Sequence, residues 1–122
     1  MIRLGTALKS TEHPYHRCLV ISDPIDTDGV VVLVRITTDD GTWPDRDCIL
    51  TPQDWDQLEH ASTVAYSTCK FGKPGPALEN AIARRLFTEI PSPSIAVLKR
   101  IISAAQTAQG MPPGARRYLP PA

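Results

Sequence analysis

Val30-Val31-Val32-Leu33-Val34-Arg35-Ile36-Thr37-Thr38 is the longest β-branched run in the chain, and it ends in two hydroxyls. Stiff Val, Ile and Thr side chains favour an extended strand over a helix. Apolar residues at nearly every position predict a strand near the centre of a sheet. Immediately upstream, Tyr15-His16-Arg17-Cys18-Leu19-Val20-Ile21-Ser22 carries a basic pair into a second apolar run. Between the two lies Asp23-Pro24-Ile25-Asp26-Thr27-Asp28-Gly29, whose terminal Asp-Gly favours a reversing turn. Antiparallel pairing of these runs would bring the Arg17 guanidinium to the hydroxyls of Thr37 and Thr38. A permanent cation beside hydroxyl donors can hold a phosphodiester and stabilise charge that builds on it.

Further along, Asp39-Asp40-Gly41-Thr42-Trp43-Pro44-Asp45 reads as another turn, leading to a short strand around Asp47 to Leu50. Thr51 and Pro52 suit the start of a helical turn to Leu58. Ser62 to Cys69 alternates as one more strand, Val64 and Tyr66 on one side, Ala65 and Ser67 on the other. Short strands separated by turns predict a small β-barrel or compact curled sheet over residues 1–70, with Trp43 and Trp55 covering its ends. Residues 71–110 read as a linker followed by a helical segment of the same domain. There Leu78, Ala81, Ile82 and Leu86 fit one helix face, and Ser92-Pro93 opens a second helix with the stripe Ile95, Leu98, Ile101, Ile102 and Ala105. Residues 111–122 form a proline-rich tail, expected to be partly disordered.

The chain has 122 residues, 42% of them hydrophobic and 21% charged, which suits one globular domain. No run reaches the ~20 apolar residues of a membrane helix, and the N-terminus lacks a secretory pattern, so a cytoplasmic protein is expected. Cys18, Cys48 and Cys69 are an odd set at wide spacing, matching neither a disulfide framework nor a zinc cluster with His60. They read as small buried apolar residues. Asp26-Thr27-Asp28-Gly29 lacks the carboxylate alternation and closing glutamate of a calcium loop. Thirteen basic residues balance thirteen acidic ones, so any nucleic-acid site must concentrate its charge locally. Acidic residues crowd from Asp23 to Glu59, while the segment after Thr68 is mostly basic.

The order of elements and the words within them resemble the PemK/MazF-like toxins of bacterial toxin–antitoxin systems. The matching pieces are Gly5, His16-Arg17 with Leu19-Val20-Ile21-Ser22, Ile36-Thr37-Thr38, the strand Thr63 to Thr68, and the helix opened by Ser92-Pro93. The resemblance implies a mainly β fold, a small SH3-like barrel of the PemK/MazF/CcdB type with C-terminal helices. It also implies a metal-independent endoribonuclease on single-stranded RNA, with a cognate antitoxin, a homodimer and no cofactor. On that resemblance Arg17 matches the family's strand-start arginine and Thr37 its catalytic threonine, with Thr38 the neighbouring alternative. His16 is an additional acid or base by its residue type. Thr38, Tyr15 and Arg35 are the substrate-binding candidates, Tyr15 by stacking on an unpaired base and Arg35 by meeting phosphates if it faces the groove.

Structural readings stand beside these. Arg17 can pair at a strand end with a carboxylate such as Asp23, and Thr37 and Thr38 suit strands for packing alone. The chain also departs from the family pattern. Cys18 stands where a proline usually follows the arginine, the loop before Arg17 is short, and Asp39, Asp40, Asp45 and Asp47 follow the threonines. Carboxylates within a Debye length, ~8 Å at physiological salt, would repel a phosphate. The alternative is therefore a catalytically inactive barrel that serves as a protein- or peptide-binding module.

Overall fold

The computed structural model describes residues 2–11, 16–73, 80 and 82–121. Its strands are β1 (Ala7–Ser10), β2 (Arg17–Val20), β3 (Val31–Thr38), β4 (Ile49–Leu50), β5 (Ser62–Gly72) and β6 (Phe87–Ile90). They form one antiparallel sheet in the order β4-β5-β3-β2-β1-β6. Helix α1 (Ile95–Thr107) and a short 3-10 helix (Arg116–Tyr118) follow.

The two apolar runs do take the middle of the sheet, side by side. Leu19 faces Val34 and Arg17 faces Ile36 across the β2–β3 ladder. Period-2 alternation then sends Val32, Val34 and Ile36 into the core with Leu19 and Val64. The turn before β3 places Asp28 (φ 55) and Gly29 (φ 86) both in the left-handed region, the conformation that Asp-Gly pairs tolerate best. Along β3 and β5 the ladder slips: β3 advances two residues from Leu33 to Arg35 while β5 retreats five, from Lys70 to Ala65. Extra residues on one strand bend it. Here the bend delivers Tyr66 and Cys69 to the core.

Helix α1 lies over that core through Val97, Ile101, Ile102 and Ala105. The buried Tyr66 hydroxyl donates to the Ile101 carbonyl at 2.7 Å, and burial pushes its phenol pKa far up. Ser94, not Ser92, caps the helix, its Oγ accepting from Val97 N at 3.2 Å. Ser92 Oγ instead donates to the Gly5 carbonyl at 2.6 Å, tying the helix entry to the N-terminal segment. The apolar stripe is rotated accordingly, and Ile95 is 74% exposed.

The sheet is not closed into a barrel, which corrects the sequence expectation. β4 and β6 remain its two edges, and a side chain bridges the segments that follow them: Trp55 Nε1 donates to the Pro91 carbonyl at 3.0 Å. Trp55 is nearly fully buried there. The stretch read as linker and helix contributes strand on either side of a helical turn: residues 80, 82 and 83 are helical, and Arg84 N donates to the Asn80 carbonyl at 2.8 Å. β5 runs to Gly72, and Phe87–Ile90 pairs with β1 as β6. Leu78 and Ala81 of the expected first helix lie outside the described residues. The proline-rich tail packs on the core through Met111, Ala115 and Leu119 rather than leaving it. Thr51 to Leu58 forms hydrogen-bonded turns in which Asp54 Oδ2 accepts from Thr51 N at 2.8 Å. The three cysteines are free, and burial pushes each thiol upward, Cys69 to about 11.

Candidate functional site

Three neighbouring strands place side chains at one end of the sheet by register alone. Lys9 of β1 stands opposite Arg17 of β2, and Arg17 stands opposite Ile36 of β3. Two residues beyond Ile36 on the same face comes Thr38, paired with Ser62 of β5. Beyond this row the chain turns at Leu58-Glu59-His60 before re-entering the sheet. Together these residues, with His16 and Thr37, line a depression of about 320 Å³. Its apolar lining is Ile36 and Leu58, and the remaining groups are polar or charged.

Backbone bonds hold the rim in place. His16 N donates to Ser10 Oγ at 2.7 Å, and Ser10 N returns a bond to the His16 carbonyl at 2.9 Å, so β1 fixes the entry to β2. On the far side Asp39 N donates to the Ala61 carbonyl at 2.9 Å, and Ser62 Oγ donates to the His60 carbonyl at 2.9 Å. The His60 turn is thereby pinned to the end of β3.

Arg17 is half-buried, and among the described residues it forms no salt bridge. Its Nε is buried without a hydrogen-bond partner. Asp23, the carboxylate that could have claimed it, accepts from Ile25 N at 3.1 Å within its own turn. The acidic run after Thr38 is likewise turned elsewhere. Asp39 is ion-paired with Arg46, and that contact holds its carboxyl below the usual range. Asp40 is lowered by its hydrogen bond to the Thr42 hydroxyl, and it also accepts from Thr42 N at 2.9 Å. Asp45 is buried and accepts from Ser67 N at 3.0 Å. None of these lines the depression, whose carboxylate is Glu59.

The structure brings Arg17, Thr37, Thr38 and His16 together and separates Arg35 from them. One residue away from Ile36, Arg35 projects to the opposite face of β3, opposite Cys18, and its guanidinium lies 5.8 Å from the centre of the Trp43 ring. It does not line the depression. The same alternation gives Thr38, rather than Thr37, the face of Arg17; Thr37 stands opposite the fully buried Thr63. Tyr15 lies outside the described residues. Lys9, Glu59 and His60 were missed at the sequence level, although antiparallel pairing of β3 with β5 necessarily sets the start of β5 beside the end of β3. Among the described residues no group of three or more His, Cys, Asp or Glu side chains could hold a metal ion, and no helix is long and apolar enough to cross a membrane.

No protein-family model matches the chain, and no curated protein matches its sequence. Among solved structures it is similar to a chain of the MazE–MazF complex (Form-III) from Deinococcus radiodurans, with a TM-score of 0.54 and 14% sequence identity over 91% of this chain and 98% of that one. At that identity the likeness is one of architecture: a mainly antiparallel β fold of the MazF type, backed by a helix.

Proposed function

We propose that the chain is the toxin of a toxin–antitoxin pair and cuts single-stranded RNA in the cytoplasm without a metal ion. The observation that carries this reading is Arg17: a cation without a carboxylate partner among the described residues, in a depression shared with three hydroxyls and two imidazoles. Cleavage by the RNA's own 2′-hydroxyl places extra negative charge on the phosphoryl oxygens. A forked, permanently charged guanidinium suits that charge best where the surroundings exclude water, and Ile36 and Leu58 supply apolar lining beside Arg17. Thr38, on the guanidinium's face, can orient the phosphate, with Thr37 contributing from the strand end. His16 serves as an acid or base. The MazE–MazF neighbour supports a cognate antitoxin as partner, and a second copy of the chain completes the assembly in this reading.

Arg17→Ala tests the proposal directly. RNA cleavage by the purified chain is expected to fall about 10²–10³-fold, the usual cost of removing one donor to a developing oxyanion. The melting temperature should stay near the parent's. A variant that cleaves RNA, or arrests growth, as well as the parent would remove Arg17 from the chemistry. A parent without cleavage that still binds a peptide at this depression would favour the binding-module reading.

A further inference from the structure

Phosphoryl transfer to an internal 2′-hydroxyl needs two proton movements, and the depression contains more than one group able to make them. Imidazole is the side-chain type best suited to both giving and taking a proton, and two imidazoles line the depression, those of His16 and His60. We infer that His60 is the second proton-transfer residue of this depression, complementing His16; the inference rests on the RNA-cutting reading above.

Two features of its setting support the assignment. The turn that bears His60 is held to the end of β3 by the Asp39 N to Ala61 carbonyl bond and by the Ser62 hydroxyl on the His60 carbonyl. Its position relative to Thr38 is thus fixed by main chain, as a proton-transfer group requires. Its imidazole makes no hydrogen bond or ion pair among the described residues, so neither nitrogen is committed to the fold. The charged and titratable groups around it are Lys9 from β1, His16 just before β2, Arg17 at its start, and Glu59 from its own turn; Asp39, just after β3, is held by Arg46.

In the step itself the 2′-oxygen–phosphorus bond forms and the phosphorus–O5′ bond breaks. One imidazole takes the 2′-hydroxyl proton, and the other, as imidazolium, gives its proton to the leaving O5′. The products are a 2′,3′-cyclic phosphate and a 5′-hydroxyl, and the two imidazoles end with exchanged protonation states. No oxidant, metal or co-reactant enters.

The test compares the full-length parent with His60→Gln on a short single-stranded RNA and on its 2′-deoxy counterpart, across the pH range that spans imidazole titration. The parent is expected to give a bell-shaped kcat profile, leave a cyclic phosphate and spare the deoxy strand. His60→Gln should lose about 100-fold in kcat and one limb of the bell, with KM and melting temperature unchanged. Parent-like kcat with both limbs intact would overturn the role of His60 while leaving the RNA-cutting reading standing. A uniformly slower variant that keeps the whole bell would also overturn it, as a structural effect. A parent that leaves RNA intact would overturn both.

Discussion

Two arginines separate the parts of this molecule that hold shape from the part that can act. Arg100 on α1 forks onto Asp54 at 3.1 and 3.2 Å and reaches the Ile49 carbonyl at 2.9 Å, fastening helix to β4 and the turn behind it. Its charge is matched inside the protein, and in return it holds the Asp54 carboxyl down at about 2. Arg17 on β2 has the same side chain and no carboxylate among the described residues, with its Nε buried and unpaired. A buried polar group left without a partner costs stability, a cost that the Nε atoms of Arg35 and Arg116 share. The lesson lies in the partners rather than the residue type. The charge of Arg100 is matched by Asp54, whereas Arg17 lines the depression with no salt bridge among the described residues.

The contrast can be broken from either side. The largest effect belongs to the structural region: Trp55→Ala removes the nearly buried indole that bridges to Pro91 and should cost about 3–5 kcal/mol in denaturant unfolding, with cleavage per folded molecule unchanged. A loss below about 1 kcal/mol would mean that the indole does not hold the two sheet edges together. Next, Arg17→Lys keeps the charge and discards the fork. Cleavage should fall about tenfold, or about 1.4 kcal/mol in barrier, with no loss of stability. Equal activity would show that charge alone suffices.

The smallest effect is read as a pH slope. Asp54 titrates at about 2 when folded against an ordinary 3.8, so the folded state binds fewer protons between those values. Its contribution is present above pH 3.8 and is lost as pH falls through about 2. Asp54→Asn should flatten the acid limb of the stability curve, less so in high salt because the pair is partly exposed. An acid limb identical to the parent's would remove the Arg100–Asp54 pair from the account.

The sheet's centre was legible because β2 and β3 announce themselves by β-branching and by the Asp28-Gly29 turn between them. Their pairing then brings Arg17 to Thr38 with no tertiary knowledge beyond antiparallel register. The choice between Thr37 and Thr38 was not legible in the same way, since it depends on which residue faces Arg17, and a one-residue shift exchanges the faces. β6 escaped because Phe87-Thr88-Glu89-Ile90 is a short edge strand with little burial, whose partner lies near the other end of the chain. Ser92 and Ser94 are equivalent caps by residue type, and only the Gly5 carbonyl decides between them. The tail was misread because proline content speaks against regular elements, not against packing. Burial of Met111, Ala115 and Leu119 depends on a surface assembled elsewhere.

The pairing of β1 with β6 joins Leu8 to Glu89. Every residue that lines the depression has been made by position 62. A chain emerging in order of synthesis therefore contains every residue of the hollow before it contains the strand that seats against β1. Until residue 90 arrives, the outer main-chain donors and acceptors of β1 stand open, and closing them is the most non-local step in assembling the sheet. Until that strand seats, the outer edge of β1 is an open template for another chain's strand.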